Sequence, residues 1–192
     1  MTATVTTATR ITLFRVLLVP CFIGCLLYYR SDREFLRWAA LFLFCLGAVT
    51  DGIDGFIARR FSQHSALGKL LDPLADKLLL LSAFVCLSVL DLPPSIRIPP
   101  WATLVVLSRD LMIIVGSCLI YLLTQTLEIR PSRLGKIATF LQMASILFVL
   151  ANLPFKAIVL NASVGFTVAS GIGYLKSGSD QLNRSLSDQG TR

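Results

Sequence analysis

The chain has 192 residues, of which 55% are hydrophobic and 15% charged, with a formal net charge of +7. Its mean hydropathy is +0.73. A water-soluble domain of this length does not need so much apolar surface, whereas a lipid-facing bundle does, because its exterior is apolar as well as its core. The basic balance suits cytoplasmic helix ends beside anionic lipid. No basic arm with interleaved aromatics is present, so nucleic acid is not an expected partner. Cys21, Cys25, Cys45, Cys86 and Cys118 all lie in apolar segments without a C-x-x-C pair. They read as small apolar filler, not as a disulfide framework or a zinc site. No cleavable leader is expected, because no small-residue cleavage pattern follows the first apolar run.

Residues 1–9 are polar and rich in threonine. The first apolar segment covers 11–29, with Pro20 as an expected kink. The second covers 35–55, starting beside Glu34 and running into Asp51. The third covers 70–90. The fourth covers 99–123 and is opened by Pro99 and Pro100, which suit a first helical turn. The fifth covers 133–152 and the sixth 155–175. Each has the length of about 20 residues that a membrane-crossing helix requires. The expected fold is an all-α integral membrane bundle of six transmembrane helices. The expected organisation is one membrane domain over 1–176 and a polar, disordered tail over 177–192. No internal repeat is present.

An even number of spans puts both termini on one side. That side also receives the 51–77 region and the 124–136 connection. It carries twelve of the 18 Lys and Arg residues, against five on the other side, with Arg109 inside the fourth span. By the positive-inside rule the richer side, with both termini, is cytoplasmic.

The stretch TDGIDGFIARRFSQHSALGKLLDPLADKLLL, residues 50–80, sets Asp51, Asp54, Asp72 and Asp76 at the edges of two apolar segments. Asp51 and Asp54 are three apart, so on a helix they share a face, which Gly55 and Ala58 continue with small side chains. Gly68, Asp72 and Asp76 repeat the pattern at steps of four. Two such helices joined by a short turn bring carboxylates to one cleft, and hard divalent cations take that donor set. The plain alternative is a solvated loop. A carboxylate at the centre of a membrane segment costs about 2.5–3.5 kcal/mol, less near the interface, so several of them on helical faces point to a metal-filled or water-filled cavity. His64, in the polar connection, reads as a solvated residue.

The same stretch reads D-x-x-D-G-x-x-A-R, then eight residues, then G-x-x-x-D-x-x-x-D. With Asp51, Asp54, Gly55, Ala58, Arg59, Gly68, Asp72 and Asp76 in place, it resembles the signature of the CDP-alcohol phosphatidyltransferases. The six spans around it agree over nearly the whole chain. The resemblance implies a six-helix membrane enzyme, usually a homodimer, that moves a phosphatidyl group from CDP-diacylglycerol to an alcohol and releases CMP. It implies that Asp51, Asp54 and Asp72 bind Mg2+ or Mn2+, as two ions, with Asp76 contributing. It further implies that Asp76 is the general base, and that Gly55, Ala58, Arg59 and Gly68 contact CDP-diacylglycerol. The implied setting is a bacterial inner membrane with the active site facing the cytoplasm.

Two stretches bear on the acceptor. LSRDLMI places Arg109 and Asp110 within the fourth span, where a charge is costly unless it faces the bundle interior. Neighbours on a helix do not face each other, so an Arg109–Asp110 pair is expected to be weak, and Arg109 is read as a partner of acceptor phosphate. RPSRLGKIATFLQ places Lys136 in an early helical turn, against the helix dipole, which a bound anion would explain; an interfacial anchor is the other reading. TLFRVLLVP resembles the family's opening segment, but Thr9 and Arg10 stand where Asn and Pro are usual. Glycerol 3-phosphate is the favoured acceptor and phosphatidylglycerol, which would yield cardiolipin, the alternative. A metal-binding membrane protein or transporter without turnover is the remaining reading, which the absence of a repeat disfavours.

Overall fold

The computed structural model describes the backbone of residues 7–61, 66–124 and 133–189, and side chains over 16–50, 77–116 and 133–176. Among the described residues six α-helices follow one another: α1 (Thr7–Leu27), α2 (Glu34–Phe61), α3 (Ala66–Val89), α4 (Pro100–Thr124), α5 (Arg133–Leu150) and α6 (Lys156–Gln189). A 3-10 turn at Pro94–Ile96 leads into α4. No strand occurs among the described residues. Three helical stretches there are long and apolar enough to cross a membrane: Pro94–Gly116, Arg133–Leu150 and Lys156–Lys176. Val16–Leu27 and Lys77–Val89 are shorter apolar helices.

Local chemistry explains the helix limits. Glu34 sits in the first turn of α2, where a carboxylate meets the positive end of the dipole. Pro100 begins α4, at a position whose N–H has no intrahelical partner in any case. α5 closes through Asn152, whose φ of 52° is left-handed. Its N–H donates to the Val149 carbonyl at 3.0 Å, and Leu153 N–H donates to the Phe148 carbonyl at 2.9 Å, so two otherwise orphaned carbonyls are satisfied. Pro154 then prevents the helix from resuming at once.

Helices α2, α3 and α6 outrun their apolar segments. α2 continues to Phe61 and α3 begins at Ala66, so the aspartate motif is carried on helix and not on loop. Ala58, Arg59 and Arg60 are strong helix formers, which lets α2 propagate beyond its lipid-matching stretch. The polar segment expected to be disordered is helical as far as Gln189. No proline follows Pro154, and extending an established helix through Gln181, Leu182 and Arg184 needs no new nucleus.

The chain divides into two compact units, Met1–Pro99 with Ile146–Pro154, and Pro100–Ser145 with Phe155–Arg192. In the first, α1 packs on α2 and α3. Leu18, Phe22 and Leu26 recur every four residues on α1 and are buried, as are Ala40 and Phe44 on α2 and Leu80, Phe84 and Leu87 on α3. The rings of Phe22 and Phe44 lie 6.0 Å apart at a 46° tilt. Gly47 permits the close approach of α2 to α3, because a Cβ there would run into the Leu79 Cδ2 methyl, itself only 4% exposed. Gly47→Leu is therefore expected to destabilise by about 1–3 kcal/mol through overpacking, more than the roughly 1 kcal/mol gained in helix propensity. Gly24→Ala, where a Cβ would meet nothing within 4 Å, should instead raise the thermal midpoint in detergent. Equal midpoints for the two variants would contradict this account.

The connection from α1 to α2 is held by a polar cluster. Tyr29 Oη donates to Glu34 Oε1 at 3.0 Å, and Arg37 Nη2 lies 2.9 Å from Glu34 Oε2. The Arg37 guanidinium also covers the Trp38 ring at 5.3 Å.

The second unit has the polarity of a membrane protein. Along α4 and α6, which pack together, the buried positions include Thr103, Asp110, Ser163, Thr167 and Ser170, while Leu104, Leu111, Ile114, Ile158 and Ile172 are exposed. Polar side chains turned inward and aliphatic ones outward are stable in lipid and unfavourable in water.

Candidate active site

The aspartate motif occupies the adjoining ends of two helices. α2 carries Asp51, Asp54, Gly55, Ala58 and Arg59 over its last turns, and α3 carries Gly68, Asp72 and Asp76 over its first. Residues 62–65 join them, and α2 and α3 are in contact. At 3.6 residues per turn, 54→58 and 68→72→76 are each steps of about 40° around the helix. The backbone thus supplies what the spacing requires: two helices, each with its motif residues in register, separated by a short connection. The side chains of all eight residues lie outside the described residues. Among the described residues no three His, Cys, Asp or Glu side chains cluster as metal ligands would.

The acceptor-side candidates, Arg109 and Lys136, lie among the described residues. Arg109, on α4, has a side chain only 11% exposed, and that of Asp110 is 6% exposed. Arg109 Nη1 donates to Asp110 Oδ1 at 2.7 Å, and Nη2 donates to Ser170 Oγ on α6 at 2.8 Å. The neighbour pair that helical spacing argued against does form. The long arginine stem lets the guanidinium fold back to the adjacent carboxylate, because a buried charge of either sign is costly unless it is paired. Arg109 Nε is buried without a hydrogen-bond partner. A guanidinium has five N–H donors in a planar fork, so the two bonds made here leave others for an anion.

Lys136 lies in the first turn of α5 and is exposed. No acidic residue occupies that turn. One turn on, Thr139 Oγ1 donates to the Gly135 carbonyl at 3.1 Å. Sequence reasoning missed Ser170, Gln142 and Thr167. Gln142 Nε2 donates to Thr167 Oγ1 at 2.8 Å, tying α5 to α6. The signal was present as Ser163, Thr167 and Ser170, spaced 4 and 3 in an otherwise apolar helix, which places them on one face.

The sequence matches the CDP-alcohol phosphatidyltransferase family over residues 5–169, a range that contains both the aspartate motif and the Arg109 region. The chain belongs to this family. It is 32% identical over 194 residues to the CDP-diacylglycerol--glycerol-3-phosphate 3-phosphatidyltransferase of Bacillus subtilis (strain 168), covering 92% of this chain and 96% of that one. It is 34% identical over 171 residues to a "Probable phosphatidylglycerophosphate synthase" of Mycobacterium tuberculosis (strain CDC 1551 / Oshkosh), covering 86% of this chain and 78% of the relative. Over 77 residues, 40% of this chain and 41% of the relative, it is 46% identical to the CDP-diacylglycerol--glycerol-3-phosphate 3-phosphatidyltransferase of Escherichia coli (strain K12). With its apolar helices and inward-turned polar residues, this phosphatidyltransferase is a membrane protein.

Proposed function

We propose that the chain transfers the phosphatidyl group of CDP-diacylglycerol to glycerol 3-phosphate, releasing CMP and forming phosphatidylglycerophosphate. The observation that carries this reading is the complete family motif on the adjoining ends of two contacting helices, α2 and α3. Relatives named for glycerol 3-phosphate, aligned over nearly the whole chain, support that acceptor over phosphatidylglycerol.

Asp51, Asp54, Asp72 and Asp76 are the residues that would hold Mg2+ or Mn2+, as a pair of ions. Four carboxylates on two helix ends are a hard oxygen donor set that fits such ions. Divalent ions bound there would neutralise the diphosphate and polarise the phosphorus under attack. Asp76 takes the proton of the acceptor hydroxyl as its oxygen bonds to the phosphorus that bears the diacylglycerol. The bond from that phosphorus to the CMP oxygen breaks, and CMP leaves with the electron pair. Arg59 offers a planar fork to the diphosphate, and Gly55, Ala58 and Gly68 let the nucleotide lie close to the helices. Arg109 and Lys136 receive the phosphate of the acceptor.

In this reading all six helices cross a bacterial inner membrane as a homodimer, with both termini and the cleft on the cytoplasmic side. The lipid tails of the donor then stay in the bilayer while its head reaches water.

The test is turnover by the purified protein in detergent, with labelled CDP-diacylglycerol and Mn2+, offered glycerol 3-phosphate or phosphatidylglycerol separately. Phosphatidylglycerophosphate in the first reaction alone is expected. Cardiolipin in the second alone would transfer the assignment to the other acceptor. Chelation should abolish CMP release, and added Mn2+ or Mg2+ should restore it; turnover unaffected by chelation would sink the carboxylate-metal reading.

A further inference from the structure

We propose that α6 positions the acceptor-phosphate residues, with Ser170 aiming Arg109 and Thr167 setting α5 so that Lys136 stands where the same phosphate meets it. The inference rests on the proposed acceptor-binding role of Arg109 and Lys136 and assigns positioning residues to it.

Arg109 and Lys136 lie on different helices, α4 and α5, and each helix makes a hydrogen bond to α6, α4 through Arg109 to Ser170 and α5 through Gln142 to Thr167. Ser170 accepts from Arg109 Nη2 at 2.8 Å and is 1% exposed. Thr167 accepts from Gln142 Nε2 at 2.8 Å and is fully buried, as Gln142 nearly is. Thr167 Oγ1 also donates to the Ser163 carbonyl at 2.7 Å, which fixes its hydroxyl proton on its own helix and turns a lone pair towards Gln142. The two contact points on α6 are three residues apart, about 4.5 Å along the axis. One rigid helix thus indexes both cation-bearing helices within less than a turn.

The guanidinium is held from two sides, by Asp110 on its own helix and by Ser170 across the interface, with Gly171 bringing the α6 backbone close enough that a Cβ would lie 3.7 Å from Arg109 Cγ. Without Ser170 the fork can rotate about its stem while its pairing to Asp110 persists. The charge then survives but its direction does not, and direction is what a bidentate contact to phosphate requires. A planar fork fixed before binding also spares the ordering cost of ligation.

Ser170→Ala and Thr167→Val are the test, with Ser170→Thr as the variant that retains the hydroxyl. Ser170→Ala is expected to raise KM for glycerol 3-phosphate by about tenfold, the scale of one hydrogen bond to a charged group. KM for CDP-diacylglycerol and kcat should stay within about twofold. Thr167→Val should shift the same KM in the same direction, and Ser170→Thr should restore it. Protection against thermal unfolding by glycerol 3-phosphate, read without turnover, should weaken in step with KM. A uniform loss of kcat with both KM values unchanged would show a purely structural role and overturn the proposal. Arg109→Lys, measured alongside, separates the two levels. If it raises KM for glycerol 3-phosphate while Ser170→Ala does not, only the positioning role fails. If it leaves that KM unchanged, the acceptor-site reading fails and the positioning role with it.

Discussion

Asp76→Asn is expected to lower kcat by about 10²–10⁴-fold, the range that a positioned general base contributes. Asparagine has nearly the shape of aspartate but no basic oxygen, so the acceptor hydroxyl keeps its proton. Loss of one anionic oxygen donor would also weaken divalent binding, and the two effects separate by titration. A rate that recovers at high Mn2+ marks Asp76 as a ligand above all. A rate that stays low at saturating Mn2+ marks it as the base. Retention of most activity at ordinary metal concentration would remove Asp76 from both roles.

The second large effect concerns Arg109 and divides into stability and binding. Arg109→Leu deprives Asp110, 4% exposed, of its cationic neighbour, and breaking a buried pair from one side costs about 3–5 kcal/mol. Replacing both residues, Arg109→Leu with Asp110→Leu, removes the charges together and is expected to recover most of that stability, because apolar replacement of a buried pair is commonly neutral or better. Activity should not follow. If Arg109 binds acceptor phosphate, the double variant folds but uses glycerol 3-phosphate poorly. Thermal unfolding in detergent and KM for glycerol 3-phosphate, measured on the same three proteins, give the answer. A double variant that is both stable and fully active would make the pair a structural clasp with no part in binding.

Helix content and the motif were legible because both depend on short-range information. Apolar runs of bilayer length declare themselves in a window of about 20 residues. The aspartate motif is read from spacings of three and four, the natural separations on one helix face. Even here the boundaries shifted. Apolarity marks where lipid contact ends, not where helical hydrogen bonding ends, so α2 and α3 continue through the polar motif and α6 through the polar tail to Gln189.

What the sequence by itself determined is a helical membrane chain of this phosphatidyltransferase family, with its eight motif residues named by position. Only the tertiary structure decided what Arg109 does with its charge. Ser170 lies 61 residues away in sequence and Gln142 lies 25 from Thr167, and no local pattern states which faces of α4, α5 and α6 meet. The expectation of a weak Arg109–Asp110 contact failed for the same reason. Helical spacing describes Cβ directions on an isolated helix, whereas a buried guanidinium on a flexible stem turns to whatever partners the low-dielectric interior leaves it.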